Sequence, residues 1–394
     1  MRVHLLALPN TQTTRAFYLD GFCLRTILFA RLLKRLGHEV ILYASEDNEA
    51  ECDHCIRVLT KAEQAEFIGS TPYQQVSWEH NTPLAIAFNT KAASHLRSIK
   101  GPQDVICTIA GSGQQQIAES HPELLFVEYS VGYSGIASHA HRVYQSHAWQ
   151  HVVFGFSGVQ GGRLFDVVIP PWFLVDEFPY VDRPEPYVVY CGRLVHSKGI
   201  ATVCESAKLA GVKLIVIGHG LKELVTYGEV VEDVPDVERN RLLANATACL
   251  MPTQYVEPFG NVAAEAQLCG TPMITTDFGG FTESVEQGKT GYRCQSLGEF
   301  VQAISLARHL DRDYIRARAT MLYSEESALV NYRKYFNRLK TLQGEGWRYL
   351  AATLEAPDGS EQLYPRTSRA TEKTADQPAD ERGRTQHVCA ETAA

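Results

Sequence analysis

Short apolar runs and stretches of helical period alternate along most of the chain. Residues 3–8 form an apolar run of the length of one buried strand. A polar loop, 9–14, separates it from Leu24, Ile27, Leu28, Leu32 and Leu36, which recur at helical spacing until Gly37 ends the helix. Residues 40–43 read as the next strand, and strand–helix–strand at this spacing predicts a right-handed parallel unit. Further strands are predicted at 105–109, 124–129, 152–156 and 167–169, with helices at 91–99 and 142–151. Pro170-Pro171 and Arg183-Pro184-Glu185-Pro186 then interrupt both periods and read as a hinge. A second parallel set follows: strands at 187–191, 212–217, 248–251 and 273–275, and helices at 200–210, 237–246, 262–268 and 297–309. Residues 314–342 predict one long helix, with Leu329, Tyr332, Tyr335, Phe336 and Leu339 on one face. From residue 344 on the aliphatic periodicity fades, and a segment that buries so little apolar surface is expected to be disordered.

The pattern predicts an α/β protein of two Rossmann-like, doubly wound domains facing across a cleft. The expected boundaries are 1–180, 181–311, a returning helix 312–343 and the tail 344–394. Ligands in such sheets bind at the carboxyl ends of the strands, which places the chemistry in the cleft. Composition changes this picture little. The 394 residues are 45% hydrophobic and 21% charged, which excludes a fibre or a wholly disordered chain. The formal charge is −8, and nine acidic against six basic residues place −3 of it beyond residue 343. The chain therefore has no overall pull on DNA or anionic lipid. Ten cysteines, mostly inside apolar runs, read as thiols of a reducing compartment. The first residues read as a strand rather than a signal peptide, and no apolar run reaches a membrane span. A cytoplasmic location is expected.

Two stretches carry chemistry. In Glu257-Pro258-Phe259-Gly260-Asn261-Val262-Ala263-Ala264-Glu265, one carboxylate precedes a helix start and another follows two turns inside it. Free N–H groups at a helix start hold anions, and a carboxylate beside them suits the hydroxyls of a sugar or ribose. In Gly192-Arg193-Leu194…Lys198-Gly199, two cations follow a buried strand. Fixed positive charge is what a departing diphosphate needs as its bond to carbon breaks.

Together with Ile215-Val216-Ile217-Gly218-His219-Gly220, Gly279-Gly280-Phe281-Thr282-Glu283 and Gly288-Lys289-Thr290-Gly291, these motifs resemble, in order and spacing over about residues 186–309, the donor domain of retaining GT-B glycosyltransferases of family four. Ile169-Pro170 with Asp176 and Phe178 resembles the family's linker, and 314–342 its final crossing helix. The resemblance implies the GT-B fold, a nucleotide-diphosphate-sugar donor, transfer with retention and no obligatory metal or other cofactor. It implies that Arg193 and Lys198 hold the diphosphate, that Glu257 orients the donor sugar and that Glu265 holds the ribose diol. The backbone around Gly192, Phe259, Gly260, Asn261 and Val262 would line phosphate and sugar, and Gly218, Glu229 and Val230 the nucleobase. The first half departs from the family. Asn10, Thr13 and Thr14 stand where paired glycines are usual, and Tyr133 and His139 where an acceptor-side residue follows a strand. Residues 128–133 and 142–149 resemble a subset of such enzymes from viruses and phages.

The acceptor is left open: a glycan, a lipid-linked glycan, a protein, a small molecule or a modified nucleic acid. A sugar-nucleotide epimerase of the same architecture and a non-catalytic sugar-nucleotide-binding protein are the alternatives. The first strand lacks the glycine loop of a dehydrogenase. Among His139, His141, His147 and His151, the last two stand one helical turn apart but lack the intervening glutamate of a zinc protease, and Cys52-Asp53-His54-Cys55 has a zinc-like spacing but no second pair and reads as free thiols. The basic helix with Arg25, Arg31, Lys34 and Arg35 leaves peripheral membrane association open, although its leucines suit a sheet-packed face better.

Overall fold

The computed structural model describes residues 1–343, apart from Tyr18, Leu19, Asp233 and the side chain of Gln74. The tail expected from residue 344 on lies outside the described residues. Among these, β1 (Arg2–Leu6), β2 (Glu39–Ala44), β3 (His54–Arg57), β4 (Val105–Thr108), β5 (Leu125–Val131), β6 (His141–Tyr144) and β7 (Val167–Val168) form one parallel sheet, ordered 3-2-1-4-5-6-7. A second parallel sheet holds β8 (Tyr187–Cys191), β9 (Lys213–Ile217), β10 (Glu229–Val231), β11 (Ala248–Met251), β12 (Met273–Thr276) and β13 (Gly291–Cys294), ordered 10-9-8-11-12-13. The winding is the same in both, so each sheet reverses direction beside its own first strand. The central strands are buried on both faces, as their unbroken apolar runs require.

Helices α1 (Gly21–Arg35), α2 (Lys61–Ile68), α3 (Pro83–Ile99), α4 (Gln115–Ser120) and α5 (His147–Phe156) belong to the first sheet. Helices α6 (Ile200–Leu209), α7 (Asp236–Asn245), α8 (Asn261–Leu268), α9 (Phe281–Ser284) and α10 (Leu297–Ala307) belong to the second. The chain then returns through α11 (Arg312–Tyr323) and α12 (Glu325–Gln343). The single long helix expected over 314–342 is thus two. Ser324 between them is extended, with ψ 160°. The buried Glu325 carboxylate accepts from Arg31 Nε at 2.9 Å and from Arg35, which fixes α12 on α1. Tyr332 packs edge-on against Phe29 at 5.2 Å and Trp172 at 5.4 Å.

The outgoing and returning passages lie side by side. Phe173 N–H donates to the Tyr323 carbonyl at 2.8 Å, and Phe173 bridges to Ser324.

Residues 141–156 reverse the expected order of elements. Residues 142–144 are strand and 152–156 are helix. The reason is a cap: Ser146 Oγ accepts the Trp149 N–H at 3.0 Å and starts α5. Val152-Val153-Phe154 has strand-like composition, but the cap and the packing of Val153 override it. Upstream, Arg142 extends between β5 and β7, with its Nε 3.2 Å from Glu128.

Candidate functional site

The carboxyl ends of β8 and β11 bring the two sequence motifs together. After β8 the chain makes a tight turn, and Gly199 (φ +73°) lies so close to the Pro252 carbonyl that a Cβ there would sit 2.1 Å from its oxygen. Gln254 N–H donates to the Ser197 carbonyl at 2.8 Å. The loop is thereby pinned, and Lys198 Nζ reaches Glu257 Oε2 at 2.6 Å. Both side chains are only 11–12% exposed. The ammonium also lies 4.9 Å over the Tyr255 ring. Arg193 is exposed, and its guanidinium has no ion pair among the described residues.

Helix α8 begins at Gly260, whose φ of +83° is left-handed and whose place a side chain would not share, since a Cβ would meet the Phe281 ring at 2.6 Å. No side chain caps this helix. Its first N–H groups are therefore available to an anion. Two glycines keep the loop in place: Gly280 N–H donates to the Glu257 carbonyl at 2.8 Å, and a Cβ on Gly279 would lie 2.9 Å from Glu257 N. Phe259 anchors the loop from below, edge-on to Tyr323 at 5.4 Å. Val262 is half-buried and packs on the core beneath. Glu265, inside α8, is buried, and its Oε2 has no hydrogen-bond partner, although Arg239 stands 3.7 Å away. A buried acceptor held open in this way fits a ligand hydroxyl.

A cavity of about 150 Å³ joins the two domains here, lined by 257–261 from one side and by Gly21, Phe22, Arg25, Gly132 and Gln145 from the other. Ser146 Oγ donates to the Pro258 carbonyl, and Glu283 accepts from His147 N–H at 3.0 Å and Ala148 N–H at 2.7 Å. A carboxylate of the second domain thus caps a helix of the first, beside the cleft. A larger cavity, about 230 Å³, lies along Tyr180, Asp182 and Arg308–Asp313 and touches none of these residues.

The expected nucleobase residues divide. Gly218 abuts β8, with a would-be Cβ 1.9 Å from the Gly192 carbonyl oxygen, and it opens the loop past β9. Val230 packs into the core behind the sheet. Glu229 pairs with Lys213 at 3.1 Å, near the amino end of β9, and so does not join the cleft residues. The acceptor-side expectations also scatter. Asn10 and Thr13 are buried: Asn10 Nδ2 donates to the Tyr73 carbonyl at 3.1 Å, and the Thr13 backbone bridges to Asn48. Thr14 accepts from the Cys23 thiol through its carbonyl. None of the three lines the cavity. His139 is exposed in a loop at φ +59°. Tyr133 packs edge-on to Phe22 at 5.6 Å and Trp78 at 6.5 Å, one residue beyond the cavity-lining Gly132. The reason for the missing glycines is visible: Asp20 caps α1, accepting from Phe22 N–H at 2.9 Å and Cys23 N–H at 3.2 Å, and so already fills the helix start.

Sequence reasoning did not single out Tyr255, and it read Arg25 as part of a basic face and Glu283 as part of a loop motif without giving either a place in the cleft. Arg25 had a signal, since it shares a helical face with Leu28, Phe29 and Leu32. Arg31, Lys34 and Arg35 pair with Glu325 and Asp53, so the basic face of α1 is engaged within the fold. Glu128 and Arg142 are a buried pair inside the first sheet. Among the described residues, no cluster of three or more His, Cys, Asp or Glu could hold a metal, and no helix is long and apolar enough to cross a membrane. Cys52 and Cys55 are free thiols.

The fold defines the class. Two facing Rossmann-like domains are shared with a glycosyltransferase from Rickettsia africae (TM-score 0.62, 15% identity, covering 86% of this chain and 98% of that one). They are shared with sucrose-phosphate synthase from Thermosynechococcus elongatus (0.63, 17%, 86% and 99%) and with Anabaena HepE in complex with UDP and glucose (0.57, 16%, 86% and 99%). This is the GT-B fold. Within it, residues 185–307 match the family model "Glycosyl transferases group 1". The chain is also 32% identical over 123 residues to glycogen synthase of Mycobacterium tuberculosis, covering 27% of this chain and 30% of that protein. It is 31% identical over 131 residues to D-inositol 3-phosphate glycosyltransferase of Pseudarthrobacter chlorophenolicus, covering 28% and 31%. The chain therefore spans about three tenths of the length of these relatives.

Proposed function

We propose that the protein moves a glycosyl group from a nucleoside-diphosphate sugar to an acceptor hydroxyl with retention of anomeric configuration. The observation that carries this reading is the Lys198–Glu257 pair at the cleft, set beside the uncapped start of α8. The match of 185–307 to group 1 glycosyl transferases and the UDP in the HepE structure support a nucleotide-sugar donor.

In this mechanism the β-phosphate lies at the start of α8, with Arg193 and Lys198 against its oxygens. The ribose diol donates to the open Glu265 oxygen. Glu257 exchanges its contact with Lys198 for the sugar hydroxyls. The bond from the anomeric carbon to the β-phosphate oxygen breaks, and the cations offset the growing charge. The acceptor oxygen bonds to the same face, and its proton passes to the departing phosphate oxygen. Closure of the domains excludes water that would otherwise hydrolyse the donor. The first domain supplies the acceptor wall. No cofactor or metal enters any step.

The test is a panel of nucleoside-diphosphate sugars incubated with and without glycan, glycolipid and small polyol acceptors. Product should form only with an acceptor present and should keep the donor's anomeric configuration by NMR. Conversion of the donor alone into an isomeric nucleotide sugar would identify an epimerase instead. Inverted product would overturn the retaining mechanism.

A further inference from the structure

Helix α1 carries one charge on its apolar stripe. Arg25 is 3% exposed, beside Leu28, Phe29 and Leu32 on the face that packs inward. The other buried arginines are satisfied: Arg142 pairs with Glu128, and Arg312 gives four hydrogen bonds to Val181, Ala246, Ala244 and Thr271. Arg25 differs. Its one hydrogen bond runs from a terminal nitrogen to the Trp172 carbonyl, and no carboxylate lies within ion-pair distance among the described residues. Its guanidinium sits 4.6 Å over the Phe173 ring and lines the interdomain cavity. Gly260 and Asn261, the start of α8, line the same cavity.

A buried guanidinium without a counter-charge is costly, because its hydration is lost and not replaced. Its unused N–H donors form a planar fork that matches two oxygens of a phosphate. Uncapped N–H groups and an unpaired cation therefore line one cavity and favour the same kind of ligand, an oxyanion. Burial lowers the guanidinium pKa to about 10, with Glu265 opposing the shift, so Arg25 stays charged at neutral pH.

We propose that Arg25 is a third cationic ligand of the donor diphosphate, holding it from the first domain while Arg193 and Lys198 hold it from the second. The proposal rests on the transferase reading above and deepens it. A diphosphate held in this way ties the two domains together, so donor binding and closure of the cleft become one event. The same contact adds positive charge where the leaving group develops its negative charge.

The experiment compares wild type, Arg25→Gln, Arg25→Met and Lys198→Ala as full chains. Calorimetry measures binding of UDP, GDP and ADP and of the matching nucleosides. Arg25→Gln keeps a donor for the Trp172 carbonyl and guards against loss of fold in Arg25→Met. For the diphosphate that binds wild type, both Arg25 variants should weaken affinity by about tenfold or more, the scale of one charge-assisted contact, while the nucleoside binds as before. Diphosphate affinity equal to wild type in folded Arg25→Gln, with Lys198→Ala weakened, would overturn this proposal and leave the transferase reading standing. Equal losses for nucleoside and diphosphate would show a structural role only and also overturn it. If wild type binds none of the diphosphates, both readings fall.

Discussion

Among the described residues, the ammonium of Lys198 and the carboxylate of Glu257 are each other's only close counter-charge, at 2.6 Å, and both are nearly buried. Removing one strands the other, which costs roughly 3 kcal/mol for a well-buried charge, and the partial exposure here lowers that figure. Lys198→Ala and Glu257→Ala should each lower thermal stability, while the double variant should regain part of the loss. All three should lose transfer by about 100-fold or more. Additive destabilisation in a double-mutant cycle, or near-normal turnover in either single variant, would contradict the pairing or the role. Glu128 offers a test by pH. Burial pushes its carboxyl up to about 7, against the pull of Arg142, Tyr133 and Ala137 N–H. The folded state then holds a proton that the unfolded chain releases near the ordinary carboxylate value. Stability should therefore fall as pH rises from about 4.5 to 7 and level off above. Glu128→Gln should flatten that slope, as read by unfolding midpoints across the window.

At the scale of elements, the uncapped start of α8 depends on a backbone that only glycine adopts easily. Gly260→Ala places a methyl 2.6 Å from the Phe281 ring at φ +83°. It should cost roughly 1–3 kcal/mol and weaken nucleotide binding together with stability. Chemical denaturation alongside a nucleotide titration checks both. The second domain was largely legible because its signals are local: buried runs such as 248–251, and glycines whose spacing follows loop contacts such as Gly280 to Glu257. The neighbourhood of Lys198 and Glu257 was legible for the same reason. Strand β6 and helix α5 were not, because Val152-Val153-Phe154 favours a strand by composition and only the Ser146 cap decides otherwise. The break at Ser324 escaped because both flanking segments keep helical period, and a tertiary contact of Glu325 sets the new direction. Arg25 reaches the Trp172 carbonyl and Glu283 caps α5, and periodicity within one segment does not report on a partner more than a hundred residues away.

The two domains of the described molecule meet through few polar contacts beside the cleft. Glu283 is the most exposed to test, because its carboxylate caps α5 from the other domain. Glu283→Ala should leave both sheets folded and free the first N–H groups of α5. Hydrogen exchange there should rise by about fivefold, a loss near 1 kcal/mol for a cap. Unchanged exchange at His147 and Ala148 would show that the cap belongs to a single arrangement of little weight. Elsewhere Tyr332 and Phe336 of α12 are buried against the first domain, beside the Glu325 pairs with Arg31 and Arg35.

That packing has a consequence for how the chain is made. The first domain needs α12, yet the outgoing passage at Phe173 and the returning one at Ser324 are separated by roughly 150 residues of the other domain. During synthesis, Phe29 and Trp172 emerge long before Tyr332, the ring that covers them. Until then that face is bare and open to aggregation. The second domain is the remedy as well as the cause. Its core draws on Phe173 and Phe178 before the second sheet and on Ala319 and Tyr323 after it, so it is complete once α11 has emerged and before α12 has. Once folded, it brings 173 and 324 together and shortens the loop that the late helix must close. The order of completion is then the reverse of the order of synthesis: the domain begun first is finished last.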